Sequence, residues 1–368
     1  MNENQIDRSI LSEWWFQVDK VLLIGLFLLI SFGFLLSFTI KPSSSIDLTS
    51  SLSSIFSKQS IYLLLGLFLS LFISFYKTDN IKIIIIPLFI LALTLLVSTL
   101  FFGYEMKGSQ RWLNLKYFTL MPIEFVKPFF CLFLAKILEN NSGKENFYKY
   151  GFSFLSYIII ASILVLQPDI SQLFLISSIY IACIFMSGFS FFILCIIIFS
   201  GLFGFVLIYF FNFNVQSRIK SFIFPENFEN MQVDLSINAI NTGGFFGVGP
   251  GEGTLKNSLP ESHTDYIFAV IAEEFGIIGC MIVLGTFLMI AYRVFKRIYN
   301  ENNHFLQISL FSLVIYFSLQ ALVHIAVNIN LIPSTGMTLP FISYGGSSII
   351  GISITFGLIM LLSKKRHI

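Results

Sequence analysis

Charge is what this sequence has little of: only 11% of its 368 residues are Asp, Glu, Lys or Arg. A soluble domain carries about 25%. So small a polar fraction cannot cover a water-soluble globule of this size, which excludes a soluble fold. The net charge is +2 and no long basic run occurs, which excludes a surface that neutralises nucleic-acid phosphates. Cysteine is scarce too. Cys131, Cys183, Cys195 and Cys280 all fall in apolar stretches without metal-ligand spacing. They read as small hydrophobes, with neither disulfides nor zinc. No internal repeat or separate soluble domain stands out. No cleavable signal peptide is evident: the chain is polar through Lys20 and its first apolar run is long, so that run reads as retained.

What is present is apolar length. Hydrophobic residues make up 56% of the chain, with 45 Phe. Runs long enough for a ~30 Å hydrocarbon core recur near 21–39, 59–76, 82–102, 118–138, 148–166, 169–188, 190–211, 264–293, 304–328 and 342–362. The expectation is an all-α integral membrane protein of about ten transmembrane helices. It forms one polytopic domain over 1–368, with a polar tail at 1–20 and a basic tail at 363–368. Only Gln167 and Pro168 separate two of the runs, so those two form a tight helical hairpin. Lys and Arg favour the segments that share a side with both termini, most cleanly at Arg293, Lys296 and Arg297 and at Lys364-Lys365-Arg366. That bias places both termini in the cytoplasm. Residues 212–263 are then a long outer loop between helices seven and eight, able to hold short interfacial helices.

Ionisable residues inside apolar spans are functional candidates. Glu124 and Lys127 share a helix face, either as a structural ion pair or as a pair facing a polar cavity near the outer leaflet. Asp169, just after Pro168, reads as a helix N-cap. Asp265 opens the eighth span, and Glu261, His263 and Asp265 crowd three titratable groups into five residues at a membrane boundary. That crowding suits a general base. Glu273 and Glu274 lie deeper and are expected to serve packing or partner contacts. His324 reads as a helix–helix hydrogen bond. The stretch Gly243–Gly253 holds six glycines in eleven residues. It lacks a Gly-Lys-Ser/Thr ending and a preceding strand, so it reads as a tightly turning loop, not a nucleotide loop. Ser343 to Ser348 supplies small residues for close helix approach. These features fit a lipid-linked transferase with a carboxylate-bearing cleft at the outer face. They also fit a transporter.

Several segments resemble, in order and over almost the whole chain, the SEDS family (shape, elongation, division, sporulation) of peptidoglycan glycosyltransferases. Gly108-Ser109-Gln110-Arg111-Trp112-Leu113 resembles the family's G-x-Q-R-W-L. Met121-Pro122-Ile123-Glu124-Phe125-Val126-Lys127 resembles Q-P-S-E-x-x-K. Leu259 to Ala269, followed by Glu273-Glu274-Phe275-Gly276, resembles L-P-E-x-H-T-D-F-I-F-A and E-E-x-G. Thr338 to Ser348 matches the closing signature, and Arg218 to Phe222 looks like the start of the long outer loop. Ile123, Met121 and Thr335 depart from the family's usual serine, glutamine and lysine, which puts secondary substrate contacts in doubt.

The resemblance implies polymerisation of lipid II on the periplasmic side of the cytoplasmic (inner) membrane. It implies Asp265 as the catalytic base toward the acceptor 4-hydroxyl, with undecaprenyl pyrophosphate leaving the growing glycan. Arg111, Lys127, Arg218 and Lys220 are the implied cations for that leaving group, and Glu124, Glu261, His263 and Ser343 the further substrate contacts. A divalent cation (Mg or Mn) is an option, although the sequence shows no metal cage. The implied partners are a class B penicillin-binding protein, whose transpeptidase cross-links the strands, and septal (divisome) regulators. The run Gly249 to Lys256 looks more like the division branch than the elongation branch. The rival readings are a lipid II flippase and a scaffold that only recruits the transpeptidase.

Overall fold

The computed structural model describes residues 10–39, 48–106, 109–116, 119–139, 146–188, 213–224 and 231–364, with 195, 199, 201, 204, 206, 209 and 210. A short α1 (Ile10–Gln17) falls within the expected N-terminal tail and precedes α2 (Lys20–Thr39), α3 (Leu48–Phe75) and α4 (Thr78–Phe102). Then come α5 (Ile123–Leu138), α6 (Asn146–Leu166), α7 (Ile170–Met186), α8 (Phe213–Ile223) and α9 (Met231–Gly243). The chain ends on α10 (Ile267–Tyr299), α11 (His304–Asn328) and α12 (Gly346–Leu362). α2, most of α3, α4, most of α6, α10 and α11 are long and apolar enough to cross a membrane, and α7 and α12 are shorter apolar helices. Nine of the ten expected spans thus carry a helix. The tenth, at 190–211, lies largely outside the described residues, as do the last four residues of the basic tail.

Local chemistry sets several boundaries. Asp169 caps α7, its carboxylate accepting from Gln172 N–H at 3.3 Å. Its neighbours Gln167 and Pro168 make the turn of the expected hairpin, across which Tyr157 and Tyr180 stack at 4.7 Å. Pro122, with φ −62°, leads into α5, where its missing N–H costs nothing.

The all-α expectation needs one amendment. Between α4 and α5, β1 (Tyr104–Met106), β2 (Ser109–Asn114) and β3 (Thr119–Leu120) form a small antiparallel sheet in that order. It takes the first residues of the expected 118–138 span, so α5 starts only at Ile123. The eighth span runs on to Tyr299, six residues past the expected end. It is broken once, at Gly276, where φ is 65°. The long loop holds α8, α9 and a 3₁₀ turn at Leu255–Asn257.

α12 lies at the centre, packed on α3, α5 and α11. Small residues let it approach closely: Gly346, within the expected stretch, faces the Tyr62 ring, and Gly351, further along, faces the Glu124 carbonyl. Tyr316, Phe317, Phe341 and Phe356 are fully buried around it.

Gly351→Ala would set a Cβ 2.6 Å from the Glu124 oxygen, and is expected to cost about 1–3 kcal/mol by overpacking. Gly285→Ala, where nothing lies within 4 Å, is the control. Thermal unfolding in detergent should show a lower midpoint for the first variant and none for the second.

Candidate active site

Asp265 sits on a tight turn that three segments hold. Its own N–H and that of Thr264 donate to Glu261 O at 3.0 Å. Glu261 takes φ 57°, a left-handed conformation rare outside glycine. From the segment before α12, Tyr344 N–H donates to His263 O at 2.8 Å. The Ser343 hydroxyl donates to Thr264 O at 2.7 Å and accepts from Leu339 N–H at 2.8 Å. From the end of α11, the buried Asn328 amide donates to Asp265 O at 3.0 Å and accepts from Ala269 N–H at 3.0 Å. Ser236 of α9 in turn donates to Asn328 O at 2.8 Å.

Asn328 belongs to a stripe that sequence reasoning missed. Gln320, His324 and Asn328 recur every fourth residue on α11, so they share one face. Gln320 Nε2 donates to Thr338 O at 3.0 Å, and His324 Nδ1 bonds Met337 O at 2.7 Å. The stripe ties the 337–338 segment and the Asp265 turn to one helix. Three polar residues at helical spacing in an apolar run were the available signal, but only His324 stood out among them.

Beside this turn lies a cavity of about 720 Å³. Phe174, Leu322, Val323 and Ile332 line it with apolar surface, while Arg111 and Arg218 bring charge. Thr335 and Met337 also line it, and Gly336 between them is where Asp265 arrives: a Cβ there would stand 3.7 Å from Oδ2.

The structure sorts the remaining candidates. Arg111 Nε lies 3.4 Å from Asp169 Oδ2, and its Nη2 donates to Pro168 O at 2.9 Å. Glu124 and Lys127 are sealed in the bundle at 3% and 0% exposure, paired at 2.8 Å. Lys127 also donates to Gln172 Oε1 at 2.9 Å, and the Tyr316 hydroxyl faces Glu124 at 3.5 Å. Of the two readings of this pair, the internal ion pair is the one seen. Lys220 is exposed on α8 and is not part of the cavity wall. Glu261, His263 and Ser343 build the Asp265 turn. Among the described residues no three His, Cys, Asp or Glu side chains gather as a metal cluster.

With this geometry the chain can be set beside known proteins. Residues 19–368 match the cell cycle protein family that groups FtsW, RodA and SpoVE. This chain belongs to the FtsW/RodA/SpoVE family. A probable peptidoglycan glycosyltransferase FtsW of Caulobacter vibrioides is 36% identical over 280 residues, 75% of this chain and 70% of that protein. One from Buchnera aphidicola is 35% identical over 307 residues, 79% and 83% of the two chains. The solved Thermus thermophilus rod shape determining protein RodA superposes with a TM-score of 0.71 at 25% identity, over 95% and 97% of the chains. A chain from a peptidoglycan synthase complex that coordinates polymerization and crosslinking gives 0.78 at 23% identity, over 94% and 97%, a likeness of fold. As in its FtsW/RodA/SpoVE relatives, the helices are those of a multi-pass membrane protein.

Asn328→Ala leaves the Asp265 carbonyl and the Ala269 N–H without that partner. The expected cost is about 1–3 kcal/mol, read as a lower unfolding midpoint at unchanged expression. Burial holds the His263 imidazole below its usual 6.5. The unfolded chain therefore takes up a proton as pH falls through 6.5 while the folded one resists. Stability is full above 6.5 and declines below it. The His263→Gln variant should show a flatter decline between pH 6.5 and 5 in the same melts.

Proposed function

We propose that this chain is a peptidoglycan glycosyltransferase that polymerises lipid II at the periplasmic face of the inner membrane, in septal wall synthesis. The observation that carries the proposal is the Asp265 carboxylate at the edge of a cavity whose wall is largely apolar and holds two arginines. Such a cavity matches a ligand with a polyprenyl tail and an anionic head. The FtsW relatives, named as glycosyltransferases, support the same reaction.

In this mechanism Asp265 accepts the proton of the acceptor sugar's 4-hydroxyl. The freed oxygen forms a bond to the anomeric carbon of the growing strand, and the bond from that carbon to undecaprenyl diphosphate breaks. The electron pair leaves with the diphosphate, whose developing charge faces Arg218 and Arg111. One base suffices because a diphosphate needs no acid to leave, unlike the sugar of a glycoside hydrolase. A Mg or Mn ion would be held chiefly by the diphosphate's own oxygens. A flippase reading expects charges facing a path at mid-bilayer. Glu124 and Lys127 instead satisfy each other inside the bundle, which favours the transferase.

The partner, in this reading, is a class B penicillin-binding protein whose transpeptidase cross-links the new strands, with divisome regulators around both. The termini lie in the cytoplasm, as the basic 293–297 segment and the C-terminal lysines support.

The test is glycan-strand formation from labelled lipid II by the purified protein with its transpeptidase partner. The unaltered protein is expected to polymerise, and folded Asp265→Ala and Asp265→Asn to lose at least a hundredfold in kcat. Equal polymerisation without the carboxylate would remove Asp265 from the mechanism. No polymerisation in any arm, with lipid II crossing liposomes, would put the flippase in its place.

A further inference from the structure

Helix α10 is opened at Gly276, and a loop of the same chain fills the gap. In an unbroken helix Ile277 N–H would meet Glu273 O, and Ile278 N–H would meet Glu274 O. Here Ile277 donates to Gly244 O at 3.0 Å and Ile278 to Phe245 O at 3.4 Å. The two stranded carbonyls are met from the same loop: Val248 N–H donates to Glu273 O at 2.9 Å and Gly249 N–H to Glu274 O at 3.1 Å. The exchange is close because Gly247 lies against the Glu274 carbonyl, with φ 79° and room for no Cβ. Gly276 lies nine residues, about 14 Å, below the start of α10. The loop therefore descends beside the helix, and all four backbone groups find partners there, as irregular backbone away from water requires.

The return limb of the loop is fastened by charge. Both oxygens of Glu273 accept backbone N–H groups, from Leu255 at 2.8 Å and Lys256 at 3.0 Å. The Lys256 ammonium, 1% exposed, pairs with Glu274 at 0%. It also donates to Thr39 O at the end of α2, at 2.7 Å. Three residues on, Leu259 is fully buried against Tyr266 and Ala269, and the Asp265 turn begins. The pair thus fixes the loop nine residues before the candidate base.

We propose that Lys256, held by Glu274, is a positioning residue for the glycosyl transfer: it clamps the 248–258 loop to the break in α10 and so fixes the turn that presents Asp265. This rests on the transferase reading above. An ammonium left in the bundle without its carboxylate is strongly unfavourable. Losing either partner therefore releases the limb toward water and loosens the turn. Removing both charges leaves nothing to expel.

The experiment measures kcat and KM for lipid II polymerisation, with the transpeptidase partner present, for Glu274→Gln, Lys256→Met and the double variant Lys256→Met/Glu274→Gln. Each single variant should lose at least tenfold in kcat with KM within twofold. The double variant, which strands no charge but still lacks the clamp, should recover only part of that loss. Single variants that keep kcat within twofold, or a double variant restored to the parent's kcat, would overturn the proposal. A second readout does not depend on activity. Leu259→Cys, buried in the parent, should resist a membrane-impermeant maleimide above the background of the native cysteines, and Glu274→Gln should expose it at least tenfold. Equal labelling in both backgrounds would also overturn the clamp. If the parent itself fails to polymerise, the transferase reading falls and the positioning role falls with it, while labelling still decides whether the clamp exists.

Discussion

A hydrogen-bonding group carried out of water must be met by another group of the chain, and this constraint orders the structure. The break in α10 shows it at the backbone. Gly276 frees two N–H groups and two carbonyls, and the glycine-rich loop supplies the four complementary groups. The loop therefore cannot lie elsewhere without leaving α10 with orphaned donors. That dependence explains Gly243 and Gly247, where backbone meets backbone at distances at which a side chain would intrude, while Gly244, Gly249 and Gly251 take positive φ.

The same constraint acts on side chains along a second line. Arg111 on the small sheet meets Asp169; Asp169 caps α7 at Gln172; Gln172 meets Lys127; Lys127 meets Glu124; Glu124 faces Tyr316. The thread joins the sheet, α7, α5 and α11, and it alternates in sign, so each buried charge has an opposite neighbour. A sealed thread of this kind fixes helices against one another. Asp265 and Arg218 stand outside this thread, at the cavity.

How much of this was legible in the sequence follows from the range of each interaction. Apolar runs gave the helices, because a span must be apolar over its own length. The Asp169 cap and the Glu124–Lys127 pair were readable because both act within four residues. The start of α12 was not. Ile342 continues the apolar run, but the Ser343 hydroxyl is engaged with Thr264 and Leu339, and Phe341 takes φ 62°. Those bonds hold 341–345 as a turn. The short strands of the 104–120 sheet carried too few residues for a period to show. Lys256 looked like an outer-loop lysine because its partner lies 18 residues on, and only the break at Gly276 brings the loop down to meet it. Among the proposed site residues, the sequence singled out Asp265 and its turn. It could not show that the turn hangs from Asn328, since nothing local links them.

The two arginines of the cavity differ in a way that bears on the transfer itself. Arg111 is already committed to Asp169 and to Pro168 O. Much of its charge is neutralised before any ligand arrives, so in the proposed transfer it would offer the diphosphate less than an unengaged guanidinium. Arg218 is exposed on α8, and the described residues give it no ion pair. In the proposed transfer an incoming diphosphate would gain most from this second charge, because no ion pair with a described residue has to be broken first. The carboxylate at Gly336 and the cation on α8 also come from different elements. In the proposed transfer, proton acceptance and leaving-group stabilisation would therefore fall to side chains carried by different elements, both within electrostatic reach of Tyr266.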